Sequence, residues 1–468
     1  MKPRMRKLAA LALSVSLVLC ANVAAGRSPG PWDPATGNDE MTFVTTGDSI
    51  IMRRLSQSYQ PDTGKMFDLI RKADVAFTNF ETGVHGFDIP GGQESGGTYM
   101  NSPPFITEEL SWAGFDVIGV ANNHANDFGV EGLRQTMAAL NNSKLVWAGV
   151  GENLALARKP AYFDTPKGRV ALISTTSTFP TAIMAGPQRK DMPGRPGVSF
   201  LRHSTIYTVP QDTYDTLKKL AGDNANSGFE DSSESAVPGL TWAGARYVVG
   251  SPTGMATHAN PRDLAELVAE VKDAKQQADW VMVSIHCHEG ASPSERDKPA
   301  QFEVEFAHAM IDAGADMFVA HGPHVLRGVE VYKGKPIFYS MANFIMENDL
   351  VELQPQDNYD KSGLSDAASP SEYYSKRSAN ETKGFPADRK FWQSVVAESV
   401  FNLDHSLKEI RLHPIAMGFG HTRSRRGQPY PAPAAEEKQI FEDLKPLCAQ
   451  LGTTVEDRNG VIVVSWKQ

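Results

Sequence analysis

The stretch Met317-Phe318-Val319-Ala320-His321-Gly322-Pro323-His324 passes from four apolar residues directly into two histidines. A short apolar run that ends at glycine and proline is typical of a buried β-strand. The same order, in which a strand-like run is followed by residues of metal-ligand type, recurs at four other places. These are Thr42–Thr46 before Gly47-Asp48, Val75–Phe80 before Glu81, Val117–Ala121 before Asn122-Asn123-His124, and Val281–Ile285 before His286-Cys287-His288-Glu289. We therefore predict several strands whose C-terminal ends carry the chemistry.

Helical patterns lie between many of the strand-like runs. Strands that alternate with helices predict an α/β fold, and the chain is long enough to bury a large core. Further strands are predicted at Leu145–Val150, Val170–Thr175, Pro336–Tyr339, Val395–Leu403, Ile410–Ile415 and Val461–Trp466. Helices are predicted at Gly129–Leu140, Pro261–Gln277, Ala300–Ala313 and Ala434–Leu451.

The N-terminus has the features of a secretory signal peptide, residues 1–25. Basic residues between Lys2 and Lys7 precede an apolar run from Leu8 to Leu19, and Ala25 suits the position before a cleavage site. A transmembrane anchor would need roughly 20 apolar residues. Lipoprotein anchoring at Cys20 is a less favoured alternative, because Leu19 stands where a small residue is expected. We expect export to the periplasm or the extracellular space.

The remaining chain divides into four segments. Residues 26–40 are predicted to be a linker, and residues 41–350 form the core, with an insertion or mobile loop at about 210–252. Residues 351–392 are polar and serine-rich, which predicts a loop or a substrate lid. Residues 393–468 supply strands and a helix that complete the same domain.

The net charge of the chain limits the classes of binding partner that we expect. Loss of the signal peptide removes four positive charges and no negative ones, which takes the net charge from −9 to −13. A protein this acidic is a poor candidate for binding nucleic acid. An anionic substrate would have to be held by local arginines or by metal ions. The mature chain keeps only Cys287 and Cys448, and a disulfide between them is conceivable but not favoured.

The polar strand ends predict a metal site. Sites in open α/β sheets gather beyond the carboxyl ends of the strands, so these loops are expected to converge. Each motif alone has a simpler explanation as a turn, a helix cap or a packed histidine. Their recurrence at successive strand ends favours the metal site. Two divalent ions held by carboxylates and neutral imidazoles can activate water and clamp an anionic group, and mixed ligands suit Zn, Mn or Fe.

The motif series resembles the CapA family of capsule and poly-γ-glutamate synthesis proteins, which is related to the calcineurin-like metallophosphoesterases. The resemblance covers about Met41 to Met346. The residues that carry it are Gly47-Asp48, Asn79-Phe80-Glu81, Asn122 to Asp127, His286, His321 to His324, Gly328 to Ile337 and Tyr339 to Ile345. It implies a layered α/β sandwich with mixed β-sheets, as in the metallophosphoesterases.

The resemblance also implies roles for individual residues. One metal would be held by Asp48, Glu81 and His324. The other would be held by Glu81, Asn123, His286 and His321, with Glu81 bridging the two ions. His124 would be the general acid, and Asp127 would orient it.

Three positions depart from the pattern of the resembled superfamily. Metallophosphoesterases usually carry a histidine where this chain has Ile50, and the bridging aspartate is replaced by Glu81. The usual His-Trp-Gly sequence of CapA proteins is His286-Cys287-His288 here. His288 could therefore supply a ligand or fill the space of the missing tryptophan.

A second candidate site lies between Arg195 and Arg202, in a segment similar to an Arg-Pro-Gly…Leu-Arg segment of CapA proteins. Two arginines near a metal centre could bind carboxylates or phosphates through paired hydrogen bonds. Solvated loop arginines are the alternative.

Two functions fit the sequence. The first is an exported metal-dependent hydrolase that acts on an anionic polymer or ester, which the resemblance identifies with poly-γ-glutamate or capsule material. The second is a non-catalytic accessory protein that binds a polyanion during synthesis or export, together with membrane-bound capsule synthesis partners. The residue at position 50 favours the second function, whereas the Asn123-His124 pair favours the first.

Overall fold

The computed structural model describes residues 39–57, 61–225 and 239–467. The signal peptide, Cys20 and most of the linker lie outside these residues. The ordered chain begins with the strand Glu40–Ile50, close to the predicted start at Met41.

The largest sheet has ten strands and runs through the middle of the molecule. In spatial order its strands are Thr453–Arg458, Val461–Trp466, Leu407–Ala416, Gln393–Asn402, Glu40–Ile50, Val75–Phe80, Val117–Gly119 and Val146–Ala148. Asn343–Met346 pairs with the end of Glu40–Ile50, and Tyr430–Pro431 pairs with Leu407–Ala416. The sheet is mixed, because Glu40–Ile50 is parallel to Val75–Phe80 and antiparallel to Gln393–Asn402.

A second mixed sheet has six strands. Their spatial order is Val329–Tyr332, Lys335–Phe338, Met317–His321, Trp280–His286, Gly168–Thr176 and Ala161–Thr165. The four central strands are parallel to one another, and the two edge strands are antiparallel to their neighbours. Two small pairs, Val150–Gly151 with Gly197–Val198 and Gly83–Val84 with Asn101–Ser102, lie outside the large sheets.

The two large sheets pack face to face. Side chains of successive strand residues point to opposite faces of a sheet, so one face of each sheet meets the other sheet and the opposite face meets helices. Phe43 of the first sheet and Trp280 of the second share one buried cluster, and their rings are 5.7 Å apart. Val44 instead packs with the helix residues on the far side of the first sheet. Val281 packs with helix residues on the far side of the second sheet. The layers are thus helix, sheet, sheet and helix, and the predicted layered α/β sandwich with mixed sheets is confirmed.

The helices cover the outer faces. Those packed on the first sheet are Pro61–Lys72, Ile106–Ala113 and Gly129–Asn141, and those on the second are Pro261–Gln277 and Gln301–Ala313. The remaining helices are Leu154–Arg158, Gln211–Ala221, Gln356–Lys361, Pro370–Arg377 and Ala434–Gln450. Short 3-10 turns occur at Thr181–Ile183, Gly222–Asn224, Asn348–Leu350, Phe385–Ala387, Arg389–Trp392 and Arg423–Arg425. In the part of the chain described here, no helix combines the length and apolar character needed to span a membrane.

The segment expected to be an insertion or mobile loop contains regular structure. Around it, the strands Leu240–Trp242, Ala245–Val249, His203–Val209 and Gly254–Ala259 form a four-stranded sheet. The helix Gln211–Ala221 leads out of this sheet, and residues 226–238 lie outside the described part. The polar composition of the segment gave no sign in the sequence of its two short, half-buried strands.

The predicted loop or lid at 351–392 is folded onto the core. It contains two short helices, Gln356–Lys361 and Pro370–Arg377. Tyr373, Tyr374 and Trp392 are buried there with Ile50 in a small hydrophobic cluster. These aromatic residues, spaced among polar ones, anchor the segment. Cys287 and Cys448 are both buried free thiols.

Candidate metal centre

The polar strand ends of the two large sheets meet at one place. In the first sheet, Asp48 is opposite Asn79 on one neighbouring strand and Asn343 on the other. In the second sheet, His286 is opposite His321. Asp48, His286 and His321 have no exposed surface. The parallel strands thus bring ligand-type side chains from both sheets into one buried cluster, as the sequence predicted.

Asp48, His286 and His321 form the first group of facing ligand atoms. Oδ1 of Asp48 lies 3.1 Å from Nδ1 of His321 and 3.6 Å from Nδ1 of His286. The two Nδ1 atoms are 3.1 Å apart. Ligands on one ion at roughly 2.0–2.2 Å are about 2.9–3.6 Å from one another in octahedral or tetrahedral geometry. The spacing of this group therefore suits a single divalent cation.

The other nitrogen of His286 belongs to a second group, with Glu81 and His288. Nε2 of His286 lies 3.5 Å from Oε1 of Glu81 and 3.0 Å from Nε2 of His288. The sequence left open whether His288 supplies a ligand. The structure places its imidazole among the ligand-type atoms.

A third group consists of Asp48, Glu81 and His324, which is the set that the resemblance assigns to one metal. Nδ1 of His324 lies 3.4 Å from Oδ2 of Asp48 and 3.9 Å from Oε2 of Glu81. Glu81 thus takes part in two of the three groups, as its implied bridging role requires. His321 is grouped with Asp48 rather than with Glu81.

Unpartnered buried atoms show that these residues fit a cation. Both carboxylate oxygens of Glu81 are buried without a hydrogen-bond partner, as are Oδ1 of Asn79 and Oδ1 of Asn123. Burial, with the nearby charges of Asp48 and Asp127, raises the pKa of Glu81 well above its usual range. A buried carboxylate without a partner is costly, and a bound divalent ion would offset that cost.

The pKa shifts of His286, His288 and Asp48 are consistent with neutral imidazole ligands. Burial lowers the pKa of His286 to about 4 and lowers that of His288 well below its usual range. Burial alone would raise the pKa of Asp48, but hydrogen bonds with His286, His321 and His324 hold it well below its usual range. A carboxylate beside uncharged imidazoles offers the lone pairs that a divalent metal needs.

The proposed acid and its orienting residue are brought together. Nδ1 of His124 lies 2.6 Å from Oδ2 of Asp127, and both side chains are buried. Asp127 also accepts hydrogen bonds from the backbone N–H groups of Met100 and Gly96, at 2.8 and 2.9 Å. Nε2 of His124 lies 3.9 Å from Oε1 of Glu81. The ring is therefore fixed on one side and faces the cluster on the other.

Asn123 lies in close contact with the backbone at Gly96. Its amide nitrogen donates to the carbonyl of Gly96 at 3.3 Å, and its oxygen is left without a partner. A Cβ at Gly96 would come within 2.7 Å of Asn123 atoms, so only glycine permits this approach. The free oxygen is what a ligand role requires, and that role stays a prediction.

The two predicted substrate arginines have protein partners. Arg195 donates to the carbonyl of Met184 at 3.0 Å, and Arg202 pairs with the buried Asp263 at 2.8 Å. Their segment reaches the sheet through a bridge between Phe200 and Thr176, the residue opposite His286. Contact with substrate stays a prediction for both arginines.

Two asparagines contribute to the cluster without having been assigned a role from the sequence. Asn79 donates from Nδ2 to Oδ1 of Asp48 at 2.8 Å. Oδ1 of Asn343 lies 2.8 Å from Nδ1 of His324, and its amide nitrogen donates to the carbonyl of Phe391. Both asparagines occur in the motifs that carry the family resemblance. Their place in the cluster depends on the strand register, which puts each of them opposite Asp48.

A fully buried arginine holds the loop that carries His288. Arg327 pairs with Glu303 at 2.7 Å. It also donates to the carbonyls of His288, Glu289 and Arg296, at 3.4, 2.7 and 3.0 Å. Three backbone oxygens and one carboxylate thus fix the loop after the strand Trp280–His286. Ile50, by contrast, is buried in a hydrophobic cluster and offers no ligand atom.

Comparison with known proteins identifies relatives of this chain. The y4sH and y4uA proteins of Sinorhizobium fredii, both described as uncharacterized, are each 38% identical over 441 residues, which are 91% of this chain and 93% of theirs. The capsule biosynthesis protein CapA of Bacillus anthracis is 25% identical over 317 residues, 66% of this chain and 61% of that protein. A solved structure of a hypothetical protein from Thermus thermophilus covers 84% of this chain and 98% of its own, with 11% identity and a TM-score of 0.34, which is too low to support any inference.

The family described as bacterial capsule synthesis protein PGA_cap matches residues 42–348. This range includes every member of the buried cluster, from Asp48 to Asn343, and ends where the folded segment at 351–392 begins. Family membership therefore extends over the part of the chain that builds the candidate metal centre, and this chain belongs to the bacterial capsule synthesis protein family PGA_cap.

Proposed function

We propose that this chain is an exported metal-dependent hydrolase that acts on an anionic polymer or ester during capsule or poly-γ-glutamate synthesis. The observation that carries the proposal is the placement of His124. Asp127 holds Nδ1 of its ring at 2.6 Å, while Nε2 faces the cluster 3.9 Å from Glu81. His124 belongs to none of the three groups of facing ligand atoms found among the described residues, so its Nε2 is available for proton transfer.

The residues that would hold the metal are those of the three groups. Asp48, Glu81, His286, His321 and His324 are the main ligands, with His288 and Asn123 completing the shell. Two ions of Mn, Zn or Fe suit this mixture of oxygen and imidazole nitrogen. Bound divalent ions would polarise an anionic ester or amide and lower the pKa of water.

The protein's own part in the reaction is proton transfer and orientation. The proton on Nε2 of His124 passes to the leaving-group oxygen or nitrogen as the bond to that atom breaks. Asp127 accepts a hydrogen bond from Nδ1–H and so stabilises the protonated ring that donates. The backbone N–H groups of Met100 and Gly96 hold Asp127 in place. A positioned general acid contributes about 10²–10⁴-fold to a rate.

Export forms part of the proposal. It rests on the basic start, the apolar run and the small residues that end at Ala25. The expected mature protein begins near Gly26 and is recovered outside the cytoplasm. N-terminal sequencing that found Met1 retained, or mass spectrometry that found an acylated Cys20, would overturn it.

A non-catalytic accessory protein is the second candidate, in which the same centre binds a polyanion and acts with membrane-bound capsule synthesis partners. The observation that favours it is Ile50, which is packed in the core where metallophosphoesterases usually carry a histidine. Loss of that side chain removes one hydrogen-bonding group from the centre. It leaves the pair of His124 and Asp127 intact.

The experiment that separates the two is a hydrolysis screen of the metal-loaded protein on poly-γ-glutamate and on phosphoesters, with the His124→Ala variant alongside. The hydrolase predicts turnover by the parent and a loss of about 10²–10⁴-fold in the variant. An accessory protein predicts no turnover by either. In that case His124→Ala would also leave capsule assembly in the cell unchanged, whereas His286→Ala would impair it.

A further inference from the structure

A cavity of about 280 Å³ lies beside the candidate metal centre and is not part of it. The folded segment at 351–392 builds much of its wall, with Phe385, Phe391 and Trp392. The ring of Phe385 lies edge-on to the ring of His324, with 5.2 Å between the centroids. Asn343, which contacts His324, donates to the backbone carbonyl of Phe391. One aromatic ring therefore separates the cavity from a candidate metal ligand.

The charge of the lining is opposite to that of the whole chain. Five cationic side chains line the cavity, and one carboxylate, Asp349, lies among them. The cations are Arg296, Arg377, Lys383, Arg423 and Arg426. The complete chain carries a net charge of −9. The net negative charge of the whole chain repels an anion. A positively charged cavity can nevertheless attract an anion locally.

Three of the cations are already held in place by protein partners. Arg426 is buried and pairs with Asp349 and Glu381. Arg423 lies 3.4 Å from the same Glu381, and Arg377 donates to the hydroxyl of Thr98. These contacts make a preformed wall that does not have to order when a ligand arrives, which lowers the entropic cost of binding.

The other two cations have no such partner. Among the described residues, the side chains of Arg296 and Lys383 make no hydrogen bond or ion pair. The guanidinium of Arg296 lies over the ring of Phe391, 5.6 Å from its centroid. Partial burial, together with the charge of Arg327, lowers the pKa of Arg296. Arg296 and Lys383 are thus the cations free to bind a ligand.

We propose that this cavity binds a carboxylate-bearing chain and presents it to the neighbouring metal centre. The arginines and lysine would hold the carboxylates, and arginine binds such groups through paired hydrogen bonds. Met346, Phe385 and Trp392 give the cavity an apolar surface, which suits the methylene groups between the carboxylates. The proposal rests on the proposed function, since the cavity would be a substrate-binding subsite beside that centre.

The aromatic lining distinguishes this ligand from a simple phosphate. Inorganic polyphosphate has no hydrocarbon to place against Phe385 or Trp392. A flexible chain of carboxylates linked by methylenes meets both surfaces at once. We therefore expect a γ-linked glutamate oligomer to bind more tightly than inorganic tripolyphosphate.

The test uses a pair of double variants that remove the same charge. Arg296→Gln with Lys383→Gln removes the two free cations of the cavity. Lys272→Gln with Lys438→Gln removes two exposed lysines on outer helices and serves as the control. Binding of a γ-linked glutamate oligomer and of tripolyphosphate to the full mature chain is measured by titration calorimetry. The cavity variant is expected to weaken oligomer binding at least about tenfold, and the control less than about twofold.

The results separate this inference from the proposed function. The same titration on His286→Ala, together with metal analysis, shows whether binding persists without metal, as the cavity predicts. Equal binding by the cavity variant and the control overturns the inference even if the parent holds metal and hydrolyses substrate. Tripolyphosphate binding as tight as that of the oligomer overturns the choice of a carboxylate chain. Loss of oligomer binding in the cavity variant, in a parent that holds no metal, supports the cavity and contradicts the proposed hydrolase.

Discussion

His286 and His321 are directly opposed on neighbouring parallel strands, and their Nδ1 atoms lie 3.1 Å apart in a fully buried site. Nε2 of His321 lies 2.9 Å from the hydroxyl of Ser284, which can accept a hydrogen bond from Nε2–H and so leave Nδ1 with the lone pair. Metal-binding imidazoles characteristically have such a partner for their second nitrogen. The pair is therefore built to direct lone pairs towards one point beside Asp48.

Replacing Asp127 tests the orientation of the acid. Asp127→Asn should lower kcat by about 10²-fold or more, because the amide no longer stabilises a protonated His124 ring. Metal content should not change, since the carboxylate of Asp127 belongs to none of the three ligand groups. Asp273→Asn, on the outer face of the helix Pro261–Gln277, is the control and should be active. Full activity in Asp127→Asn would remove the proposed role of the pair.

Replacing His288 tests whether it replaces a missing ligand. His288→Ala should weaken metal binding at least about tenfold in a competition with a chelator, because its Nε2 lies 3.0 Å from that of His286. His308→Ala removes a partly buried imidazole that pairs with Glu330 and should leave the affinity unchanged. Equal affinities in the two variants would mean that His288 only fills space.

Asp48, His286 and His321 could be recognised from the sequence as candidate ligands because their positions at strand ends depend on local pattern. A strand-like run that stops at Asp48, His286 or His321 can be recognised from the order of residues alone, and the sandwich then brings the ends together. The helix Pro261–Gln277 has the predicted bounds for the same reason. Its apolar residues recur with the helical period, and Asn260 caps its first turn.

The rest of the site depends on register and on long-range packing. Asn79 and Asn343 join the buried cluster because each is opposite Asp48 on a neighbouring strand. The order of residues in the sequence does not show which strands are neighbours. The cavity joins Arg296 to Phe385 and Arg426, which are far apart in the chain. The segment at 351–392 has a polar composition, and its few aromatic residues decide where it packs.

Replacing Arg327 tests the support of the His288 loop. Arg327→Met should destabilise the protein by about 3–5 kcal/mol, because it leaves Glu303 buried without its counter-charge. The carbonyls of His288 and Glu289 would also lose a donor. Arg458→Met, which removes an exposed pair with Glu456, should change stability little. Chemical denaturation of the metal-free proteins measures both, and a small effect at Arg327 would contradict the buried network.

The pH dependence of stability can be tested at Asp116, away from the ligand groups. Burial raises the pKa of Asp116 to about 6, although its carboxylate accepts a hydrogen bond from the N–H of Ala76. The folded state therefore disfavours the ionised form, and the cost is fully present above pH 6 and vanishes below about pH 4. Asp116→Asn should stabilise the protein by up to about 3 kcal/mol at pH 8. The gain should shrink as the pH falls from 6 to 4, and a gain that is constant with pH would contradict the raised pKa.

The most direct test of the central claim is the metal content of the purified mature protein, measured by elemental analysis on the parent, His286→Ala and His124→Ala. His286 belongs to two of the three ligand groups, whereas His124 belongs to none. We predict at least one equivalent of Mn, Zn or Fe per chain in the parent and in His124→Ala, and a large loss in His286→Ala. A parent that takes up no divalent metal, or a His286→Ala variant that holds as much as the parent, would contradict the metal centre.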